Sequence, residues 1–265
     1  MNDTTNDAKN DAPEDERIVT AALLIIGNEI LSGQTKDANL PYIAEHLNKV
    51  GVRLREARVV PDVEAEIISA LNALRARHNY VLTTGGIGPT HDDITAECIA
   101  KAFGRQLVQH PEALRRLQAH YAEMGLELTA ARLRMANTPQ DAELIDNPVS
   151  TAPGFRVENV FVLAGVPKIM QAMLDHVLPQ LQGGKPVLST AVLANLGEGV
   201  LAAGLGAIQA RYPQVDIGSY PRFGGADGYR VSLVMRHTDS ALLEQVSAEV
   251  CALVRELGGE PQLPA

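Results

Sequence analysis

The stretch NYVLTTGGIGPTHDDITAECIAKAFG, residues 79–104, decides the fold. It opens as a short buried strand, passes through a glycine-rich turn, and continues as a helical pattern that Gly104 can end. Its neighbours repeat the alternation. Upstream, IVTAALLIIG (18–27) is a continuous apolar run ending in glycine, the pattern of a strand covered on both faces. DANLPYIAEHLNKVG (37–51) places Leu40, Ile43, Leu47 and Val50 at helical spacing, with Asp37 as the expected N-cap and Gly51 as the stop. VRLREARVV (52–60) alternates as a strand, and PDVEAEIISALNALRARH (61–78) reads as a helix opened by Asp62.

Downstream, HPEALRRLQAHYAEMG (110–125) gives a helix with Pro111 in its first turn. NTPQDAELIDNPVSTAPGF (137–155) supplies turns and short strands, NVFVLAG (159–165) another buried strand, and VPKIMQAMLDHVLPQL (166–181) a further helix. Strands alternating with helices imply an α/β fold with a doubly wound, mostly parallel sheet, because parallel neighbours need crossover connections. This domain is expected over residues 17–182. QGGKP (182–186) reads as a boundary, and the β-α-β-β-α pattern beyond it predicts a small two-layer α+β domain over residues 186–260.

The bulk properties narrow the function classes. A formal charge of −9 over 265 residues argues against nucleic acid or an anionic membrane surface as partner, since both are held by clustered lysine and arginine. Cys98 and Cys251 are far apart and form no CxxC pattern, which excludes a cysteine zinc site and a disulfide framework. The first 16 residues, MNDTTNDAKNDAPEDE, are polar and acidic and are expected to form a disordered tail rather than a targeting peptide. No segment approaches the ~18 apolar residues of a membrane span, so a cytoplasmic protein is expected.

In an open parallel sheet, ligands lie beyond the carboxyl ends of the strands. Glu29 and Asp37 follow the first strand, Asp62 the second, and Gly85, Gly86, Gly88, Thr90, His91, Asp92 and Asp93 the third. Helix capping accounts for one aspartate at each helix start. It does not account for two adjacent aspartates beside a histidine, nor for Glu29 at a strand end. A glycine turn entering a helix exposes N–H groups to anions, and neighbouring carboxylates can hold Mg²⁺ or a similar hard cation that bridges to phosphate oxygens. That pairing suits phosphoryl or nucleotidyl chemistry. The loop matches neither GxxxxGK[ST] nor GxGxxG, and no Gly-x-Ser-x-Gly elbow or Cys/His pair supports acyl chemistry.

GNEILSGQTKDAN (27–39), VVPD (59–62), TTGGIGPTHDDIT (83–95), NPVSTAPGF (147–155) and AGVP (164–167), in this order, resemble the N-terminal region of competence/damage-inducible protein A (CinA). That region belongs to the molybdopterin-binding, or molybdenum-cofactor-biosynthesis (MoaB/Mog-like), domain superfamily. The resemblance covers roughly residues 18–181, and SYPRF with GYRVSLVMRHTD resembles the smaller domain that follows. It implies a three-layer α/β/α sandwich that binds a nucleotide diphosphate or a pterin at the strand ends. In the CinA branch it implies a metal-dependent pyrophosphatase acting on ADP-ribose or a related nucleotide, and in the cofactor branch molybdopterin binding or adenylylation. A non-catalytic binding module is a third reading.

By the resemblance, Asp62 and Asp93 take the catalytic positions; Glu29, Asp92 and Asp93 are the carboxylates expected to hold metal, with Mg²⁺ or a similar divalent cation such as Mn²⁺ or Co²⁺ as cofactor. The expected substrate-binding set is Gly27, Asn28, Asp37, Asn39, Thr84, Gly85, Gly86, Gly88, Pro89, Thr90, His91 and Lys168. A homo-oligomer is expected. The chain departs from the family's usual PGVPxEM with Ala164 and Ile169, and has Ser150 where glycine commonly precedes TAPGF. Its 265 residues hold no counterpart of the amidohydrolase domain of full-length relatives, so deamidation is not expected of it.

Overall fold

The computed structural model describes residues 18–223 and 228–263, so the predicted tail over residues 1–16 lies outside it. The chain divides into two compact units, Met1–Lys185 and Pro186–Ala265.

The first unit runs β1 (Val19–Ile26), α1 (Asn28–Leu31), α2 (Asn39–Lys49), β2 (Val52–Val60), α3 (Glu64–Arg77), β3 (Tyr80–Thr84) and α4 (Thr95–Ala102). It continues with β4 (Leu107–Gln109), α5 (Pro111–Glu123), α6 (Ala130–Leu133), β5 (Asn137–Pro139), β6 (Glu143–Ile145), β7 (Gly154–Val157), β8 (Val160–Leu163) and α7 (Pro167–Val177). Six strands form one sheet in the order β2-β1-β3-β8-β7-β6, and β4 pairs with β5 separately. Strands β2, β1, β3 and β8 are mutually parallel, while β7 runs antiparallel to β8 and β6.

The unbroken apolar run of β1 follows from its place in the middle layer. Val19, Ala21, Leu23 and Ile25 face one core with Ile43 and Leu47 of α2 and Met170 and Leu174 of α7. Ala22, Leu24 and Ile26 face the other core with Ile67 and Leu71 of α3 and Cys98 and Ile99 of α4. Successive side chains of a strand point to opposite faces, so both parities must be apolar when helices cover both sides. The result is a three-layer α/β/α sandwich. Cutting Leu23 or Leu24 back to alanine would cost about 2–5 kcal/mol. At the sheet edge, Arg53, Arg55 and Arg58 interrupt β2, which discourages pairing with another chain.

Two expected caps are placed differently. α2 starts at Asn39, and Asp37 reaches forward to accept from the Leu40 amide at 2.9 Å, so its capping role stands although Ala38 is the boundary residue. Asp62 does not open α3, whose boundary residue is Val63. Its Oδ2 accepts instead from the Asn28 amide at 2.8 Å, tying the end of β2 to the turn after β1.

The second unit runs β9 (Leu188–Ala194), α8 (Glu198–Arg211), β10 (Asp216–Pro221), β11 (Val231–His237), α9 (Ser240–Glu256) and β12 (Pro261–Gln262). Its sheet is antiparallel, ordered β10-β11-β9-β12. Val231, Leu233 and Met235 pack against Leu201 and Ile208 of α8 and Val246, Val250 and Val254 of α9, giving two layers. Asp239 caps α9 by accepting from the Ala241 and Leu242 amides. The two-residue β12 was not expected, because a strand that short has no period to read. Among the described residues no helix is long and apolar enough to cross a membrane.

Candidate functional site

Strand order makes the site. β2 lies on one side of β1 and β3 on the other, so the chain changes direction at β1 and leaves a crevice at the carboxyl ends of β1 and β3. A cleft of about 500 Å³ opens there, lined by Glu29, Thr35, the glycine loop, Asp93, Met135, the 147–152 turn and the segment from Ala164 to Met173.

The glycines are dictated by close approach. Gly85 has φ +102°, and a Cβ on it would lie 2.1 Å from the carbonyl oxygen of Ile26 on β1. Gly86 has φ +66°, and a Cβ there would lie 2.2 Å from Thr95 Oγ1. Thr95 is fully buried and fastens the loop to α4, donating through Oγ1 to Gly85 O at 2.9 Å while its amide donates to Gly86 O at 3.0 Å. Among the described residues, the amides of Gly86, Ile87 and Gly88 donate to no protein group. Three consecutive free donors on a cleft wall form an anion-binding surface.

The carboxylates are held differently from one another. One of Asp92 and Asp93 could have capped the helix that follows, yet α4 begins at Thr95 and no side chain caps it. Asp93 Oδ2 accepts from the Thr90 amide at 2.7 Å and from Thr90 Oγ1 at 2.5 Å, which leaves Oδ1 uncommitted. Gly88 makes room, since a Cβ there would lie 2.7 Å from Asp93 Oδ2. The carboxylate of Glu29 folds over Gly27, where a Cβ would lie 2.5 Å from it. Asp92 is exposed; the Thr90 side chain, its own backbone amide and the neighbouring His91 and Arg134 charges hold its carboxyl below the ordinary range.

Of the expected site residues, the fold brings Glu29, Gly85, Gly86, Gly88, Pro89 and Asp93 to the cleft. Thr90 stands behind them as the residue that orients Asp93. Gly27, Asn28 and Asp62 build the floor after β1 and β2 without lining the cleft. Asn39 is buried and donates through Nδ2 to Gly165 O at 2.8 Å, which supports the turn after β8. Asp37 is used as a cap and Thr84 is buried in β3. His91, Asp92 and Lys168 are exposed and do not line the cleft. Lys168 is flanked in α7 by Pro167 and Ile169, which do line it. Among the described residues, no three carboxylate, histidine or cysteine side chains gather into a metal-holding group, so Glu29, Asp92 and Asp93 are not a preassembled cage.

Sequence reading flagged Ser150, Ala164 and Ile169 of the opposite wall as departures but gave Asn147 and Met135 no role. Asn147 is buried and closes a turn, accepting from the Val149 and Ser150 amides at 3.0 and 3.1 Å and donating to Ser150 Oγ and Ala152 O at 2.7 and 2.8 Å. These bonds hold Thr151 at φ +67°, a conformation that a β-branched residue adopts only under constraint. An Asn-Pro-x-Ser turn signature was there to be read. The three positions at which the chain departs from the CinA pattern, Ser150, Ala164 and Ile169, all line this wall.

A doubly wound sheet with free amides and two carboxylates facing an apolar wall at its switch point defines a small-molecule-binding α/β domain. Residues 22–183 match the family described as "Probable molybdopterin binding domain", and residues 186–258 match "FAD synthase, middle domain". A protein of Metallosphaera sedula is 33% identical over 91% of this chain and 97% of its own length. A CinA-like protein of Citrifermentans bemidjiense is 43% identical over 61% of this chain, which spans 40% of that protein. The crystal structure of CinA from Thermoplasma acidophilum, titled as of unknown function, superposes with a TM-score of 0.57 at 36% identity, covering 62% of this chain and 98% of that one. The chain belongs to the molybdopterin-binding-domain family, and within it to the CinA type. These matches fit a nucleotide-related role with a small-molecule ligand.

Proposed function

We propose that the cleft takes a nucleotide carrying a diphosphate, and that the chain hydrolyses its phosphoanhydride, with ADP-ribose as the type of substrate. The observation that carries this reading is the meeting of the free Gly86, Ile87 and Gly88 amides with the Glu29 and Asp93 carboxylates on one cleft. Amides alone would suit any anion. Carboxylates beside them would repel a phosphate unless a cation stood between.

The residues present fit a divalent cation of the Mg²⁺, Mn²⁺ or Co²⁺ kind. Such an ion needs only one or two protein carboxylates when substrate phosphates complete its shell, so a three-residue cage is not required. Glu29 would hold it together with the substrate phosphates, and it would supply charge neutralisation at the phosphates and acidify a bound water. The chain's own residues do the rest. The loop amides bind phosphate oxygens, and Thr90 fixes the Asp93 carboxylate through Oδ2. Oδ1 of Asp93 then accepts the proton of the attacking water. The water oxygen bonds to one phosphorus, and the bridging oxygen leaves with the other phosphate.

A second reading is favoured by the apolar wall. Ile87, Met135, Val166, Ile169 and Met173 offer a surface for a flat heterocycle, which suits a pterin as well as a nucleobase, so binding or adenylylation of molybdopterin uses the same cleft. The test is phosphate-product release from ADP-ribose, FAD, NAD and ATP with Mg²⁺, Mn²⁺ or Co²⁺ and an EDTA control. Metal-dependent formation of AMP from ADP-ribose is the expected result. Silence across the panel would transfer the assignment to pterin binding or to a non-catalytic binding module.

A further inference from the structure

Beside the cleft, a recess of about 40 Å³ continues past Asp93. It shares Gly86, Ile87, Gly88, Asp93 and Met135 with the cleft and adds Glu97, Arg134 and Asn137. Among the described residues that line the two spaces, Arg134 is the one basic side chain. Among the described residues no carboxylate lies within ion-pair distance of it, although its charge acts on the neighbouring Asp92, in contrast to Arg58, Arg75, Arg77, Arg105, Arg115, Arg116 and Arg156 of the same unit, which are directly paired. The hydrogen bond of Arg134 goes from Nη2 to the backbone oxygen of Asp93 at 3.1 Å. A guanidinium carries five N–H donors in a planar fork, so one bond to a carbonyl leaves most of them uncommitted. The same bond fixes the head group beside the residue that borders both spaces.

We propose that Arg134 is the diphosphate-recognition residue of this site, presenting its guanidinium to a phosphate group held at the boundary of cleft and recess. This rests on the reading of the cleft as a phosphate-anhydride site and adds the residue that selects for it. Glu29, Asp93 and Glu97 make the lining acidic. An Arg–phosphate pair is charge-assisted and can be bidentate, which a neutral amide loop cannot supply. Arg134 therefore distinguishes a doubly charged diphosphate from a neutral heterocycle that the apolar wall alone would accept.

The test is calorimetric titration of the full chain with inorganic pyrophosphate and, separately, ADP-ribose, each with Mg²⁺ and with EDTA. The wild-type chain is expected to bind both. Arg134→Ala should weaken pyrophosphate binding about 10- to 100-fold, the scale of losing hydrogen bonds to a charged group. Arg134→Lys should recover part of the loss, because it keeps the charge without the fork. Arg115→Ala removes an equal charge from exposed surface on α5 and should bind as the wild-type chain does. Thermal midpoints of all variants verify folding. Wild-type-like pyrophosphate affinity in Arg134→Ala, or an equal loss in Arg115→Ala, overturns the assignment. If the wild-type chain binds ADP-ribose but not pyrophosphate, Arg134 loses its role while the nucleotide reading stands. If it binds neither, both fall.

Discussion

The two walls of the cleft are built in opposite ways. One is a single stretch, Gly85 to Asp93, in which neighbours in sequence are neighbours in space: Gly85 and Gly86 make the turn, Gly88 makes room, and Thr90 holds Asp93 three residues on. The other is assembled from Met135, the 147–152 turn and the start of α7, which meet only because β8 lies beside β3. The first wall is polar, with free amides and a carboxylate. The second is mostly apolar and is shaped by the buried hydrogen bonds of Asn147. The contrast indicates a division of labour, with charge handled by a local motif and ligand shape by tertiary assembly.

Mutations on each wall should therefore fail differently. Asp93→Ala is expected to have the largest effect, lowering turnover of ADP-ribose by about 10²–10⁴-fold with the circular dichroism spectrum unchanged. Near-normal turnover would break the division. Gly85→Ala forces a Cβ toward the Ile26 carbonyl at positive φ and should cost about 2–4 kcal/mol in urea unfolding. An unaltered midpoint would mean that the loop relaxes away from β1. Ile169→Ala on the apolar wall should raise KM about 3- to 10-fold and leave kcat within about twofold, since it removes contact made equally in ground and transition states. A fall in kcat at constant KM would place that wall in the chemistry.

The smallest effect is expected away from both walls. Hydrogen bonds from Arg115 and Arg116 hold the Glu112 carboxyl down to about 2, against an ordinary value of 4.5. A depressed folded-state value stabilises the fold above the unfolded value, and that contribution is lost as pH falls from about 4.5 toward 2. Glu112→Gln should thus leave the urea midpoint near neutral pH almost unchanged and flatten its decline on the acid side. An equally steep decline in the variant would assign acid sensitivity to other carboxylates. Glu112 is exposed, so screening keeps the effect small.

The same contrast sets what could be read in advance. The β-α alternation of the first unit was legible because β1 is apolar at both parities and α2 and α7 carry apolar stripes. The β-α-β-β-α order of the second unit was legible from the opposite pattern, since β11 alternates Val231, Leu233 and Met235 toward a single core, and only the short β12 escaped. The glycine-loop wall was legible because its physics is local. Asp62 was read as opening a helix because an aspartate before an apolar-periodic run has that signature; the fold instead ties Asp62 to Asn28, while Asp93 is held by Thr90. Lys168 and Arg134 show the limit most clearly. Lys168 stands in a familiar position after AGVP yet is left outside the cleft, whereas Arg134 lies in an unremarkable stretch and lines the recess beside it. Nothing in the spacing of either residue separates the two outcomes.

The most direct test of the central claim is a backbone amide NMR titration of the full chain with ADP-ribose and Mg²⁺. The account predicts that the largest shifts fall on Gly86, Ile87 and Gly88, whose amides have no protein acceptor, with smaller shifts along Ser150, Ala152 and Ile169. Saturable shifts that leave those three amides unmoved and cluster elsewhere, or the absence of any saturable shift, would contradict it.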